Sequence, residues 1–256
     1  MNPIVVVPAR LSSTRLPEKP LAMIAGEPMI VHVWRRAMET ELGPVVVAVD
    51  HPSVADAVIR VGGRAIMTRP EHPSGTDRIA EALATADPDG RHDVVINFQG
   101  DLPTVAPHVT RQTAALLDDP EVMLATPVAL IVDPEELEAA SVVKMVGSPI
   151  DAHRFRALYF TRVRAPWGEG PIYHHIGLYA WRRAAFERFV ALPPSTLELR
   201  EKLEQLRAIE AGMRVDAVLV EDVPLGVDTR ADLLRAREIL DPAGFYPYPC
   251  ENKVDA

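Results

Sequence analysis

The 256-residue chain has one cysteine, Cys250, so no disulfide can form within it, which fits a reducing compartment. Its opening apolar run, Ile4–Val7, is too short for a signal peptide or a membrane span. Basic residues are in deficit, 27 Lys and Arg against 36 Asp and Glu, for a formal net charge of −9. That balance argues against general nucleic-acid binding. No Gly-Lys-Ser/Thr follows the first apolar run, and no glycine-rich turn either, so neither a Walker A loop nor a dinucleotide fingerprint is present. There is no internal repeat and no low-complexity stretch.

What remains is ordinary globular composition, 48% hydrophobic and 25% charged, which at this length suits one large α/β domain with an insertion. Short, β-branched apolar runs recur at 4–7, 45–49, 93–98, 122–130 and 215–220. Apolar on both faces, they predict a buried, mostly parallel sheet. Helical patterns lie at 28–40, 53–61, 76–86, 107–117, 183–190, 197–211 and 230–240, with Thr76 placed to cap the third. Alternating strand and helix implies a doubly wound α/β fold, with ligands at the carboxyl ends of the strands. Residues 1–240 form the expected domain. The stretch 141–181 breaks the alternation and is expected to be a β-rich insertion that covers the site or pairs subunits. The tail 241–256, rich in Pro and aromatics, reads as an extension.

The stretch "PARLSSTRLPEKPL" (8–21) places Arg10, Arg15 and Lys19 between the first strand and the first helix, stiffened by Pro8, Pro17 and Pro20. That position favours phosphate recognition over a solvated basic turn. "INFQGDLP" (96–103) ends a strand in Gly100-Asp101, and Asp101 suits either one carboxylate ligand for Mg²⁺ or a helix-capping turn. In "PLGVDTRADL" (224–233), Asp228 is a second carboxylate or, as spacing alone favours, part of a helix cap. Ser74, Gly75 and Thr76 open a helix between Arg69 and Arg78, a base or phosphate reader or a plain capped start. His174 and His175, adjacent in a strand, are expected on opposite faces, so at most one enters a given pocket. Their spacing, with no cysteine nearby, argues against zinc. Glu204 and Gln205 fall on a helix whose plain reading is a solvated face.

In this order, these motifs resemble the 3-deoxy-D-manno-octulosonate (Kdo) cytidylyltransferases, or CMP-Kdo synthetases, over residues 4–240. "PMIVHV" (28–33), "DHPSVADAV" (50–58), "MTRPEHPSGTDRIAE" (67–81), "ALYFTRVRAPW" (157–167), "HIGLYAWR" (175–182) and "LELREKLEQLR" (197–207) belong to the same set. The resemblance implies a nucleotide-diphospho-sugar transferase-like fold and the conversion of CTP and Kdo to CMP-Kdo and pyrophosphate. It also implies Mg²⁺, a homodimer, and a cytoplasmic role in lipopolysaccharide synthesis. It places Arg10, Ser13, Arg15 and Lys19 on the triphosphate, and Ser74, Gly75, Thr76 and Arg78 at the nucleotide. Asp101 and Asp228 would bind the metal, and Gln99, Arg162, His175, Tyr179, Glu204 and Gln205 would face the sugar acid. Arg10, Lys19, Asp101 and Asp228 would carry catalysis. Two positions depart from the family pattern: Leu102 stands where Glu is common, and His174 where Arg is common. A related sugar acid, such as 8-amino-Kdo or a sialic acid, and a non-catalytic nucleotide-binding regulator are the alternatives.

Overall fold

The computed structural model describes residues 1–13 and 15–244; Cys250 and most of the tail lie outside the described residues. The chain opens with β1 (Pro3–Ala9), buried along its whole length. A stiff loop and a 3₁₀ turn at Lys19–Leu21 lead to the small hairpin β2 (Met23–Ile24) and β3 (Glu27–Pro28), then α1 (Met29–Met38). Alternation continues through β4 (Val45–Val49), α2 (Pro52–Arg60), β5 (Arg64–Met67), α3 (Gly75–Ala86), β6 (Val94–Asn97), α4 (Pro107–Ala115) and β7 (Leu124–Leu130). After the short α5 (Pro134–Glu138) come β8 (Lys144–Pro149), β9 (Arg154–Thr161), β10 (Tyr173–His175) and β11 (Tyr179–Arg182). The last described elements are α6 (Arg183–Val190), α7 (Thr196–Glu201), α8 (Gln205–Glu210), β12 (Val215–Leu219) and α9 (Arg230–Leu240).

All but the hairpin join one ten-stranded sheet, ordered β10-β8-β9-β12-β7-β11-β6-β1-β4-β5. The expected parallel array is the run β6-β1-β4-β5 and the pair β7–β12. The strands of 141–181 extend the same sheet in the antiparallel sense rather than forming a separate layer. Since β10 also pairs with β7, the strands β7-β12-β9-β8-β10 close on themselves. β11 is the antiparallel strand between the two parallel groups.

Alternation along β1 sends Val5 and Val7 into one apolar cluster and Ile4 and Val6 into the other. The first cluster takes the buried faces of α1, α2, α4 and α9. The second takes those of α3, α6 and α8. Burying both faces of central strands is what their unbroken Val/Ile runs require. It leaves the carboxyl ends of β1 and β6, side by side, to carry polar groups.

The pattern read as one helix over 197–211 is two, α7 and α8, because Lys202 takes a left-handed conformation (φ 57°) that ends the first. Thr76 is not the cap of α3. Ser74 is, its hydroxyl accepting from the Asp77 N–H at 3.1 Å, while Thr76 lies buried in the first turn.

Candidate active site

The end of β1 and the loop after β6 touch through backbone. A Cβ on Gly100 would lie 2.4 Å from the Pro8 carbonyl oxygen, so only glycine allows this approach. It delivers Asp101 next to the cationic loop. The Val227 N–H donates to the Asp101 carbonyl at 2.9 Å and brings the segment before α9 alongside. Thr229 caps α9 reciprocally with Asp232, and Asp228, one residue earlier, is left pointing at the loop. Asp228 is therefore no cap; its neighbour takes that part.

Lys19 joins the two carboxylates. Its Nζ donates to Asp101 Oδ2 at 2.9 Å and to Asp228 Oδ1 at 3.0 Å. Arg15 Nη2 meets the other oxygen of Asp228 at 3.0 Å. Burial pulls the Lys19 ammonium down, but the Asp101 and Asp228 charges and hydrogen bonds outweigh it and hold its pKa above the ordinary lysine value. A second brace comes from Asp50, which the sequence reading did not single out. It accepts from the Leu11 N–H at 2.8 Å and from Arg78 Nη2 at 3.3 Å, fixing the start of the loop to α3.

Two cavities meet at this centre. The smaller, about 330 Å³, is lined by Arg10, Lys19, His72, Ser74, Gly75 and Arg78. The larger, about 1070 Å³, has His174, His175, Tyr179 and Gln205 in its wall. Arg15, Gln99, Asp101 and Asp228 border both. On the larger side, His175 Nε2 lies 2.9 Å from Thr126 Oγ1, and the Tyr179 hydroxyl donates to Gln205 Oε1 at 3.3 Å. Burial, with the Glu204 charge behind it, pushes the Tyr179 phenol far up, so it stays protonated.

Twelve of the sixteen residues expected at the site therefore border the two cavities: Arg10, Arg15, Lys19, Ser74, Gly75, Arg78, Gln99, Asp101, His175, Tyr179, Gln205 and Asp228. Four stand elsewhere. Ser13 lines a shallow recess on the far side of its loop and accepts from the Leu16 N–H at 3.4 Å. Thr76 donates to Glu204 Oε2 at 2.8 Å, so Glu204 faces the start of α3 and not the larger cavity. Burial raises the Glu204 pKa, and among the described residues its Oε1 has no hydrogen-bond partner. Arg162 spends its guanidinium on the carbonyls of Glu201, Ala140 and Lys202 at 3.0, 2.9 and 3.4 Å, acting as a strut for the turn after α7. Both histidines, not one, border the larger cavity: β10 is three residues long and ends there, so the opening reaches both of its faces. Leu102, in the place of the family's Glu, is buried and packs in the core beside Gly226.

Among the described residues no three His, Cys, Asp or Glu side chains converge on a metal-sized point. Two carboxylates do converge, on one ammonium. That donor set suits Mg²⁺, which takes one or two carboxylates and completes its shell with water and substrate phosphates.

A doubly wound sheet with cations after its first strand, and paired carboxylates where two ligand-sized cavities join, defines a nucleotidyltransferase. The comparisons narrow the class. The family model described as cytidylyltransferase matches residues 4–215. A "3-deoxy-manno-octulosonate cytidylyltransferase" of Methylobacterium sp. (strain 4-46) is 64% identical over 239 residues, 93% of this chain and 97% of that one. One of the same name from Rhodopseudomonas palustris (strain BisA53) is 60% identical over 237 residues, 93% and 96% of the two chains. A solved CMP:2-keto-3-deoxy-manno-octonic acid synthetase complexed with CTP is similar at a TM-score of 0.87 and 38% identity, covering 95% of this chain and all of that one. The apo UDP-glucose pyrophosphorylase shares the fold alone, with a TM-score of 0.69 at 13% identity over 93% of this chain and 98% of that one. The chain belongs to the cytidylyltransferase family, among the 3-deoxy-manno-octulosonate cytidylyltransferases.

Proposed function

We propose that this protein joins CTP and Kdo to give CMP-Kdo and pyrophosphate. The observation that carries the reading is the shared wall: Arg15, Gln99, Asp101 and Asp228 border both cavities, so a nucleotide in one and a sugar acid in the other would meet between them. The sugar's anomeric hydroxyl oxygen attacks the α-phosphorus of CTP. It gives its proton to solvent water as the new P–O bond forms, and the bond from the α-phosphorus to the bridging oxygen breaks, that oxygen leaving with pyrophosphate. Such a transfer depends mostly on positioning and on offsetting charge. Arg10, Arg15 and Lys19 carry the charge that builds on the leaving pyrophosphate. The smaller cavity, lined in part by Ser74 and Gly75 at the start of α3, holds the nucleotide. Tyr179, His175 and Gln205 orient the sugar.

Asp101 and Asp228 would hold Mg²⁺. When bound, that ion supplies a Lewis acid that offsets phosphate charge and lowers the pKa of a coordinated hydroxyl. A homodimer is proposed through the antiparallel part of the sheet and the loop that follows β9, where Leu158 of β9 and Val163 and Trp167 of the loop are exposed. A cytoplasmic place in lipopolysaccharide synthesis follows from the family resemblance. Among the described residues no helix is long and apolar enough to cross a membrane.

The test is pyrophosphate release from CTP by the purified chain across a panel of sugar acids, with and without EDTA. Kdo-dependent release that EDTA abolishes is expected. Release without sugar dependence, or faster release with a sialic acid, would overturn the assignment.

A further inference from the structure

Thr126 lies in the middle of β7, fully buried, and borders neither cavity. It nevertheless holds one end of the larger cavity's wall. β10 and β11 pair with the same edge of β7, the first ending at Val128 and the second beginning at Ala125. Between them the chain loops through Ile176, Gly177 and Leu178, opposite Pro127, which has no N–H to offer. The Thr126 hydroxyl fills that gap. Its Oγ1 lies 2.9 Å from the Leu178 carbonyl oxygen, 3.2 Å from that of Ile176 and 2.9 Å from His175 Nε2.

A hydroxyl has one proton to give. The two carbonyls only accept, and Ile176 already accepts from the Leu178 N–H at 2.7 Å. The proton therefore goes to Leu178, and the oxygen's lone pairs face His175. A lone pair on Nε2 would leave two acceptors opposed at 2.9 Å, so Nε2 must carry a hydrogen. The other ring nitrogen then carries a lone pair. Its nearest donor is the Gln205 amide, at a loose 3.5 Å. The ring is clamped in this pose by Phe160, edge-on at 4.7 Å between centroids, and by Tyr179 at 5.6 Å. Burial, with the neighbouring His174 adding to it, lowers the His175 pKa to about 3, so the ring is uncharged at neutral pH.

We propose that Thr126 is a positioning residue for the sugar side: it fixes His175 as the Nε2–H tautomer, so that Nδ1 meets the substrate as an acceptor for a sugar hydroxyl and not as a partner for its carboxylate. The word sugar rests on the reaction proposed above; the tautomer does not. The orientation of a buried imidazole by the group behind it is a general device for setting which nitrogen faces a ligand.

The experiment has two arms. Long-range ¹H–¹⁵N spectra of the ligand-free protein at pH 7 read the His175 tautomer, with His175→Asn used to assign the signal. A protonated Nε2 and a bare Nδ1 are expected. A protonated Nδ1 would overturn the proposal whatever the chain catalyses. In the second arm, Thr126→Val should mix the tautomers and raise the KM for Kdo about tenfold, leaving the KM for CTP within twofold; Thr126→Ser should restore both readings. An unchanged KM for Kdo in Thr126→Val, or a lost tautomer in Thr126→Ser, would overturn it. Should the valine variant not fold, the wild-type and serine spectra still decide. Failure of Kdo turnover in the wild type would strike the reaction and leave the first arm standing.

Discussion

Replacing His175 with Asn should flatten part of the acid limb of this protein's stability curve. In the unfolded chain a histidine titrates near 6.5, whereas burial holds the folded His175 at about 3. As pH falls below 6.5 the unfolded state takes up a proton that the folded state refuses, and stability drops wherever the unfolded state binds more protons. The contribution is therefore complete above the unfolded value and is lost progressively from 6.5 down to 3. Between pH 8 and pH 5 that gap amounts to about 1.5 pH units at ~1.36 kcal/mol each, or about 2 kcal/mol. His175 is only 6% exposed, so solvent screening takes little from this figure. Urea unfolding of wild type and His175→Asn at both pH values measures it. The carboxylates titrate in both proteins and cancel in the difference. Wild type should lose about 2 kcal/mol more than the variant, near 1 M in midpoint at a slope of ~2–3 kcal/mol/M. Stability curves that run parallel from pH 8 to pH 5 would refute a buried, uncharged His175.

Lys19→Ala should cost turnover and leave the fold nearly intact. Its carboxylate partners are 31% and 44% exposed at the side chain, so losing the ion pairs removes about 1 kcal/mol, whereas losing a cation aimed at developing phosphate charge costs ~10²–10³ in kcat. Steady-state pyrophosphate release beside a thermal melt separates the two; near-normal turnover would end the assignment of Lys19. Gly100→Ala forces a methyl to 2.4 Å from the Pro8 carbonyl oxygen. It should destabilise by ~1–3 kcal/mol and lower activity by displacing Asp101, and an unchanged melt would show that the approach of the two loops is less tight than described.

The site was legible where one local pattern sufficed. The cations of 10–19 announce themselves because they follow a strand too apolar to lie anywhere but the sheet's centre. What spacing cannot convey is convergence. Lys19 meets carboxylates 82 and 209 residues further on, and without that meeting Asp101 and Asp228 read equally well as turn or cap residues. The misplacements have local causes. Thr76 and Ser74 are both good caps two residues apart, and the backbone angles at Ser74 decide between them. The family resemblance put Arg162 and Glu204 on the sugar, but the Arg162 guanidinium is taken by backbone carbonyls and Glu204 accepts from Thr76, while Gln205 beside it borders the larger cavity. Asp50 follows a plain β-strand and Thr126 sits inside one, and nothing in a β-forming threonine signals that its hydroxyl holds a histidine. The antiparallel strands of 141–181 were visible, but their merger with the main sheet depends on β10 pairing with two strands at once.

The charge arrangement explains how a chain of net charge −9 can address a triphosphate. At the shared wall Arg15 and Lys19 match Asp101 and Asp228 one for one, so the centre is balanced before any ligand arrives. A polyanion entering the smaller cavity upsets that balance. At ~4 Å and an effective dielectric of ~20, each phosphate charge facing an unpaired carboxylate costs about 4 kcal/mol. Lys19 cannot hold both carboxylates and also turn wholly to the phosphates. Under the proposed reaction Asp101 and Asp228 would hold a divalent cation once Lys19 is committed to pyrophosphate. The two carboxylates already share one cation, their oxygens 2.9 and 3.0 Å from the Lys19 nitrogen. Lys19 holds the two acids in position in the structure, and under the proposed reaction it would counter the leaving group once CTP is bound. Pro17 and Pro20, whose rings fix the backbone φ, stiffen the segment that carries it.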